Sequence, residues 1–215
     1  MSIKPQAVIF DMDGVIFDTE RIYFESCVEA AEKYKLESIE RVCLDCVGTS
    51  SMREVFLEAY GKDFPFDAYS EEAGRISSGK LQNGYPMKEG AAELLDALME
   101  HNIPAAVASS TATKAVVKAL MKAGIIHCFR KIVGGDMVKN GKPDPEIFLT
   151  AAALLDVPPE GCLVIEDSPH GISAAHKAGM IPVFVPDLIQ PDDKTRETAA
   201  AVLPSLKAVK DLLEL

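Results

Sequence analysis

The 215-residue chain has no excess of basic residues, no long apolar run and no leader-like opening. It has 22 lysines and arginines against 33 aspartates and glutamates, which gives a formal net charge of −11. Nucleic acids and anionic membranes are poor candidates for its main partner, because both are bound through basic patches. No apolar stretch reaches the roughly 20 residues of a membrane-spanning helix, and residues 1–5 lead directly into a predicted strand. We expect a cytoplasmic protein.

Cysteine is scarce and odd in number, with five residues in a chain long enough to fold without disulfides. Two of them, Cys43 and Cys46, form a C-x-x-C motif. A zinc or redox site with this motif needs a second Cys/His pair or a thioredoxin-like strand–helix context, and neither is visible. We interpret both as small buried residues at a helix end, and we expect reduced thiols.

Five short apolar runs rich in Val, Ile and Phe predict buried β-strands. They are residues 7–10, 103–108, 131–135, 162–165 and 181–185. Helical patterns lie between and after these runs, at residues 89–101, 112–124, 145–156, 171–180 and 205–215. Strands that alternate with amphipathic helices indicate a parallel sheet covered on both faces. The predicted fold class is therefore α/β, with a Rossmann-like parallel sheet as its core.

The interval between the first two strands breaks this alternation. Residues 17–83 contain several helical patterns and no convincing strand. A βα connection is normally only a few residues long, so we predict an inserted helical module. The expected domains are an α/β core formed by residues 1–16 and 84–215, and a helical insertion formed by residues 17–83.

Polar side chains follow three of the predicted strands. They are Asp11 and Asp13 after the first strand, Ser109 and Ser110 after the second, and Glu166 and Asp167 after the fourth. Lys142 lies in the Pro- and Gly-bounded loop NGKPDP (140–145). Ligands of open parallel sheets bind beyond the carboxyl ends of the strands, so we expect these residues to form one site. Carboxylates from separate strand ends repel one another without a bound cation, and such oxygen ligands suit Mg²⁺.

These residues fall into four motifs that occur in a fixed order along the chain. The motifs are DMDGV (11–15), Ser109 after the second strand, Lys142 in KPDP (142–145), and EDS (166–168) followed by HGISAAHKAG (170–179). With them the chain resembles the haloacid dehalogenase superfamily over essentially its whole length. The helical insertion resembles the small α-helical cap of the subfamily that contains β-phosphoglucomutase and phosphoglycolate phosphatase. The resemblance implies phosphoryl transfer, with the cap selecting the substrate.

The resemblance also implies a role for each motif residue. Asp11 would be the nucleophile that forms an aspartyl-phosphate, and Asp13 would be the general acid and base. Ser109 and Ser110 would bind the phosphate, and Lys142 would place a fixed positive charge over Asp11 and the transferring group. The implied Mg²⁺ ligands are Asp11, Asp13 through its backbone carbonyl, Asp167 and Glu166.

The helical insertion bears on the choice between a phosphatase and a mutase. β-Phosphoglucomutases have a histidine where Tyr23 stands here, and Arg53 comes several residues later than their arginine. Both departures favour a Mg²⁺-dependent phosphatase of small phosphorylated metabolites such as sugar phosphates; a phosphohexomutase of the β-phosphoglucomutase type is the alternative. Tyr23 and Arg53 also fit ordinary packed and solvated helix positions. Candidate substrate contacts are Tyr23, Gly48, Thr49, Ser50, Arg53 and Arg75.

Two further expectations concern assembly and a different class of protein. A monomer is expected, because the cap already covers the site. A response-regulator receiver domain, which accepts phosphate on an aspartate for signalling, also combines a parallel sheet with acidic residues, a hydroxyl and a lysine. Receiver domains are about half this length and lack a large insertion after the first strand, so the enzyme is favoured.

Overall fold

The computed structural model describes residues 3–46 and 52–215. Its six strands form one parallel sheet in the order β3-β2-β1-β4-β5-β6. The strands are β1 (Ala7–Phe10), β2 (Ala105–Ser109), β3 (Lys131–Gly134), β4 (Cys162–Glu166), β5 (Ile181–Phe184) and β6 (Ala201–Val202). The predicted α/β fold and its five strands are confirmed. Strand β6 was not predicted, because two residues are too few to show a strand pattern.

Ten helices accompany the sheet in the described residues. They are α1 (Thr19–Tyr34), α2 (Ile39–Asp45), α3 (Met52–Tyr60), α4 (Phe66–Lys80), α5 (Ala91–Glu100), α6 (Thr113–Lys122), α7 (Glu146–Leu155), α8 (Pro169–Lys177), α9 (Asp193–Thr198) and α10 (Leu206–Leu213). None of the helices in these parts of the chain has the length and apolar character that a membrane span requires. The predicted core helices α5, α6, α7, α8 and α10 are present, with ends that differ by a few residues.

Both faces of the sheet are buried, as the alternation of side chains along β1 shows. Val8 and Phe10 belong to a hydrophobic cluster that includes side chains of α5, α6 and α10. Ala7 and Ile9 point the other way, into a cluster with side chains of α7 and α8. Because every side chain of β1 is buried, this strand lies at the centre of the core. Its carboxyl end therefore holds Asp11 on a firmly packed support.

Helices α1 to α4 form the helical segment, residues 17–83, which has a hydrophobic cluster of its own. Ala30, Val42, Phe56 and Tyr69 are among its buried residues. Phe56 and Tyr69 are in contact, with ring centroids 4.8 Å apart. The predicted run of helices is therefore present. The division of the chain into a core and a cap remains a prediction.

The chain leaves and re-enters the core at neighbouring points. Asp18 N–H donates to the Pro86 carbonyl at 2.8 Å, and Lys88 N–H donates to the Ile16 carbonyl at 2.9 Å. Lys88 also forms an ion pair with Asp187, which follows β5; Nζ lies 2.6 Å from Oδ1. The Asp187 side chain is only 2% exposed, so this pair ties the returning chain to the end of the sheet.

Candidate functional site

A cleft of about 380 Å³ lies at the carboxyl ends of β1, β2 and β4, between this edge of the sheet and the helical segment. Seven side chains were predicted to form one site, and all seven line this cleft: Asp11, Asp13, Ser109, Ser110, Lys142, Glu166 and Asp167. The order of the strands brings them together, because β1 lies between β2 and β4.

Lys142 is the centre of a buried ionic network. Its side chain is 2% exposed and donates to Asp11, to Glu166 Oε1 at 2.5 Å and to the Ala108 carbonyl at 3.3 Å. Burial by itself lowers the pKa of Lys142, but the charges of Asp11 and Glu166 more than offset this and the pKa is raised. The ammonium group therefore stays charged beside Asp11.

Glu166 is fully engaged by protein partners. One carboxylate oxygen accepts from Lys142, and the other accepts from the backbone N–H groups of Asp167 and Ser168, both at 3.1 Å, and from Ser168 Oγ at 2.9 Å. Each oxygen has at least one protein donor, so Glu166 helps to hold Lys142 in place. That Glu166 also binds the metal stays a prediction.

Asp11 is held in a strongly acidic environment. Burial raises the pKa of Asp11 to about 7; Lys142 opposes this rise, while the charges of Glu166 and Asp13 add to it. One lysine thus does not balance the negative charge that surrounds it. Any additional cation bound here would favour the ionised, nucleophilic form of Asp11.

Asp13 is fixed by two threonines that the sequence analysis missed. Thr19 Oγ1 donates to Oδ1 at 2.5 Å, and Thr111 Oγ1 donates to Oδ2 at 2.9 Å. Burial raises the pKa of Asp13, and the two hydroxyl bonds oppose the rise. Thr111 directly follows Ser109 and Ser110, so the hydroxyl-rich SST run after β2 was a usable signal.

The phosphate-binding candidates on β2 differ in exposure. Ser109 is buried, and its Oγ accepts the Thr111 N–H at 3.1 Å. Ser110 is exposed on the wall of the cleft. The turn after β2 therefore presents hydroxyl and backbone groups to whatever occupies the cleft, close to Asp13.

Asp167 lies against the backbone of Gly14. Gly14 has φ = +79°, and a Cβ placed there would come within 2.1 Å of Asp167 Oδ2. Only glycine combines this φ with such a close approach. Asp167 Oδ2 is buried and has no hydrogen-bond partner among the described residues. Burial, followed by the charges of Glu166 and Asp11, raises the pKa of Asp167 well above its ordinary value.

Replacing Gly14 by alanine should therefore damage both stability and activity. The left-handed φ alone costs about 1–2 kcal/mol for an L-residue, and the new methyl group would displace Asp167. We expect a lower free energy of unfolding in urea and a lower kcat. Gly74→Ala is the matched control, because a Cβ at Gly74 in α4 meets no atom within 4 Å. Wild-type stability and kcat in Gly14→Ala would contradict this account of Asp167.

The acidic residues of the cleft fit a divalent cation. Asp11, Asp13, Glu166 and Asp167 surround a single lysine, and Asp167 offers a buried oxygen without a partner. Within residues 3–46 and 52–215, no three His, Cys, Asp or Glu side chains are grouped as a metal cage. Mg²⁺ does not need such a cage, because it typically takes one or two carboxylates and completes its octahedron with water and phosphate oxygens.

The opposite wall of the cleft belongs to the helical segment and is mostly apolar. Tyr23 lies there, as predicted, and burial raises its pKa. Other described residues on this wall are Phe24, Cys27, Cys43, Cys46, Met52 and Phe56. Gly48, Thr49 and Ser50 lie outside the described residues, so their predicted contact with substrate stays a prediction.

Two predicted substrate contacts are not brought to the cleft. Arg53 forms a two-pronged ion pair with Asp67, with N–O distances of 2.7 and 3.1 Å, on the exposed side of the helical segment. Arg75 pairs with Glu72 one turn earlier in α4, and its side chain is 70% exposed. In the described structure neither arginine lines the cleft. The solvated interpretation of Arg53 is the one that agrees with its position.

Glu20, which the sequence analysis did not single out, also lines the cleft. Burial, followed by the charges of Asp13 and Asp11, raises its pKa to about 8. An acidic residue in the first turn of a helix is ordinary, so its position in α1 concealed its place in the site.

Comparison with known proteins identifies the family of this chain. A family profile described as "Haloacid dehalogenase-like hydrolase" matches residues 8–185. The chain is 35% identical over 185 residues to the phosphorylated carbohydrates phosphatase of Thermotoga maritima, covering 83% of this chain and 84% of that protein. It is 35% identical over 212 residues to a Drosophila melanogaster protein named "Probable pseudouridine-5'-phosphatase", covering 94% and 90%.

A solved structure agrees with these relatives. The β-phosphoglucomutase of Clostridium difficile matches with a TM-score of 0.79 at 26% identity, over 98% of this chain and 97% of that one. The similarity therefore includes the helical segment as well as the sheet. A match of this extent favours an enzyme over the receiver-like phospho-acceptor.

Proposed function

The chain belongs to the haloacid dehalogenase-like hydrolases, and we propose that it is a Mg²⁺-dependent phosphatase of small phosphorylated metabolites with a single phosphate group. The sequence-based predictions of this superfamily and of a phosphoric monoester hydrolase are confirmed by the family match and the relatives. The catalytic roles, the metal and the kind of substrate are the proposed part.

Asp11 is the nucleophile in this proposal. Its carboxylate attacks phosphorus, the bond from phosphorus to the substrate oxygen breaks, and an aspartyl-phosphate forms. Support comes from its place at the centre of the cleft and from Lys142, whose buried ammonium contacts it directly. Lys142 lowers the electrostatic cost of bringing an anionic phosphate to an anionic carboxylate. Ser109 and Ser110 bind phosphate oxygens beside it.

Asp13 transfers the proton. It donates to the leaving oxygen of the substrate, and afterwards it takes a proton from the water that hydrolyses the aspartyl-phosphate. Its raised pKa suits the first task, because a raised pKa favours the protonated form, which can act as an acid. Thr19 and Thr111 each bond one of its oxygens and so fix its orientation.

The residues present fit a magnesium ion. Asp11, the Asp13 backbone carbonyl and Asp167 would hold it, and Asp167 is supported by its buried, unpartnered Oδ2. When bound, Mg²⁺ supplies positive charge that offsets the repulsion between carboxylate and phosphate and orients the two for in-line attack. Glu166 keeps its bonds to Lys142 and Ser168 in this arrangement.

The helical segment would act as the cap that selects substrate and excludes water. It supplies one whole wall of the cleft, and its two connections to the core run side by side near Phe17 and Met87. A pair of adjacent connections permits a hinge, and lidded sites commonly open for substrate and close for chemistry.

The distribution of charge in the cleft favours a phosphatase over a mutase. It is the main observation in support of the proposed function. Lys142 is the one cationic side chain among the described residues that line the cleft. Residues 47–51, VGTSS, contain no charged side chain. A mutase must hold a sugar bisphosphate, whose second phosphate needs its own cationic or hydrogen-bonding partner. Here the wall opposite Lys142 is mostly apolar, and its one described ionisable group besides tyrosine and cysteine, Glu20, offers no positive charge to that phosphate.

The product of the reaction tests this proposal. The protein would be incubated with β-glucose 1-phosphate and with other phosphorylated metabolites, in Mg²⁺ or in excess chelator, and free phosphate and glucose 6-phosphate would be measured separately. We expect Mg²⁺-dependent phosphate release, no net glucose 6-phosphate, and no preference for bisphosphates. Glucose 6-phosphate formed without free phosphate would establish the mutase instead.

A further inference from the structure

Three of the five cysteines lie together on the wall that the helical segment contributes to the cleft. Cys27 belongs to α1, Cys43 to α2, and Cys46 directly follows α2. All three line the cleft. The other two cysteines are buried against the sheet, in its two hydrophobic clusters. The C-x-x-C motif is therefore buried at a helix end, as predicted, but it has a third thiol beside it.

Cys27 and Cys43 pack in one cluster on this wall. Both belong, with Tyr69, to the hydrophobic cluster of the helical segment. The Tyr69 hydroxyl group donates to the Cys27 carbonyl at 2.9 Å, which ties α4 to α1 at this point. Cys46 also lies on the wall, but Cys43 is the thiol whose influence lowers the pKa of Cys27.

Two ordinary explanations of such a cluster fit less well. Buried cysteines often serve as small apolar core residues, but these three line a cleft that small molecules can enter. A structural metal site would need three or four ligands in a cage, and no such group of His, Cys, Asp or Glu occurs in the described residues. The arrangement is that of two neighbouring thiols accessible through the cleft.

We propose that Cys27 and Cys43 are an oxidisable thiol pair, a modification site at which hydrogen peroxide forms a disulfide that impairs the cleft. Cys27 as thiolate attacks one peroxide oxygen, the O–O bond breaks, and a sulfenic acid and a water molecule result after protonation. The Cys43 sulfur then attacks the Cys27 sulfur and displaces the second oxygen as water. Two thiols lose two electrons in total, and one peroxide becomes two waters.

The order of the two thiols follows from their surroundings. The hydrogen bond from the Cys43 thiol lowers the pKa of Cys27, against the effect of burial, whereas the pKa of Cys43 is raised. Cys27 is also the more exposed of the two. Cys27 is therefore the thiol that reacts first, and Cys43 resolves the intermediate.

The disulfide would change the shape of the active-site wall. A sulfur–sulfur bond is only about 2.05 Å long, so the two sulfurs must move closer than a hydrogen bond allows. That movement draws α1 towards α2, and α1 carries Glu20 and Tyr23 on the same wall and Thr19, which bonds Asp13, at its first position. Turnover should fall about tenfold or more, because displacements of about 1 Å in a positioned site can cost a hundredfold.

Trypsin places Cys27 on one peptide and Cys43 and Cys46 on another, so a disulfide that involves Cys27 links two peptides. Cleavage after Arg21, Lys33, Arg41 and Arg53 gives peptide 22–33, which contains Cys27, and peptide 42–53, which contains Cys43 and Cys46. The full-length protein with Mg²⁺ would be treated with hydrogen peroxide, the free thiols alkylated, and the peptides analysed by mass spectrometry without reduction. We expect a disulfide between the two peptides, in wild type and in Cys46→Ser, and none in Cys27→Ser or Cys43→Ser.

Activity is measured on the same samples. We expect the loss in wild type to be reversed by dithiothreitol and to be absent in Cys27→Ser; Cys27→Ala is the second variant if the serine hydroxyl group disturbs folding. An internal disulfide in peptide 42–53, or three thiols that can still be alkylated after peroxide treatment, would contradict the proposed Cys27–Cys43 disulfide. A disulfide between the two peptides without loss of turnover would contradict its proposed effect on the cleft. The peptide masses do not depend on any phosphatase activity, so the two proposals fail separately.

Discussion

Asp11→Asn should abolish phosphate release while the protein stays folded. The amide is isosteric with the carboxylate but cannot attack phosphorus, so we expect kcat to fall at least about 10³-fold, as it does when a nucleophile is removed from other enzymes. The loss should be seen with every substrate that the wild type hydrolyses. Phosphate release in the presence of Mg²⁺ measures the loss of activity, and circular dichroism shows whether the variant is folded.

The matched control for this change is Asp156→Asn. Asp156 follows α7 at an exposed position with φ = 58°, a conformation that asparagine tolerates. It makes the same chemical change at a position outside the cleft, and wild-type activity is expected. If Asp11→Asn kept more than a small fraction of wild-type kcat, Asp11 would not be the nucleophile.

Lys142→Met should remove activity and also destabilise the fold. The methionine fills similar space but leaves Asp11 and Glu166 without their buried counter-charge, and such unpaired charges cost about 3–5 kcal/mol. The two carboxyl groups can escape part of this cost by binding protons. We expect a large loss of kcat in the phosphate assay and a lower free energy of unfolding in urea.

The pH dependence of this destabilisation distinguishes a charge effect from simple repacking. The pKa of Asp11 is already raised to about 7 in the folded protein, and Lys142 is the group that holds it down. Without the lysine the folded-state pKa rises further, so the native state binds protons that the unfolded state has released. Stability is then kept at low pH and lost as the pH rises through the folded-state pKa.

Unfolding of Lys142→Met at a series of pH values, from about 5 to 8, should therefore show a steeper loss of stability with rising pH than the wild type shows. Lys139→Met is the control, because Lys139 lies in the same loop and is exposed. A destabilisation that is the same at every pH would mean that packing of the lysine, and not its charge, stabilises the site.

The strand ends of the site could be predicted from the sequence, because two simple regularities suffice. Short apolar runs identify buried strands, and ligands bind beyond the carboxyl ends of parallel strands. Asp11, Ser109 and Glu166 each end or follow such a run, and the structure brings all three to one cleft. Lys142 has no periodic pattern around it, so its prediction depended on its Pro- and Gly-bounded loop and on the family resemblance.

The contacts made by the helical segment could not be predicted in the same way. Arg53 and Arg75 were predicted substrate contacts because they lie in the helical insertion, but the partners of a helical side chain depend on which face of the helix packs against its neighbours. Asp67 and Glu72 compete for these arginines on the exposed side. Glu20 shows the reverse case, since an acidic residue with an ordinary place at a helix start is buried next to Asp13.

The adjacent connections of the helical segment have a consequence for how such a protein can change. The chain leaves the core near Ile16 and returns near Lys88, and two backbone hydrogen bonds join these two connections. The helical segment is therefore attached to the core at a single place. Lengthening, shortening or exchanging the part of the segment that follows this attachment leaves the positions of β1 and Asp11 unaltered. Substrate preference can thus diverge by substitution of one contiguous piece of sequence, while the chemistry of the strand ends is kept as long as Thr19, which bonds Asp13, is retained.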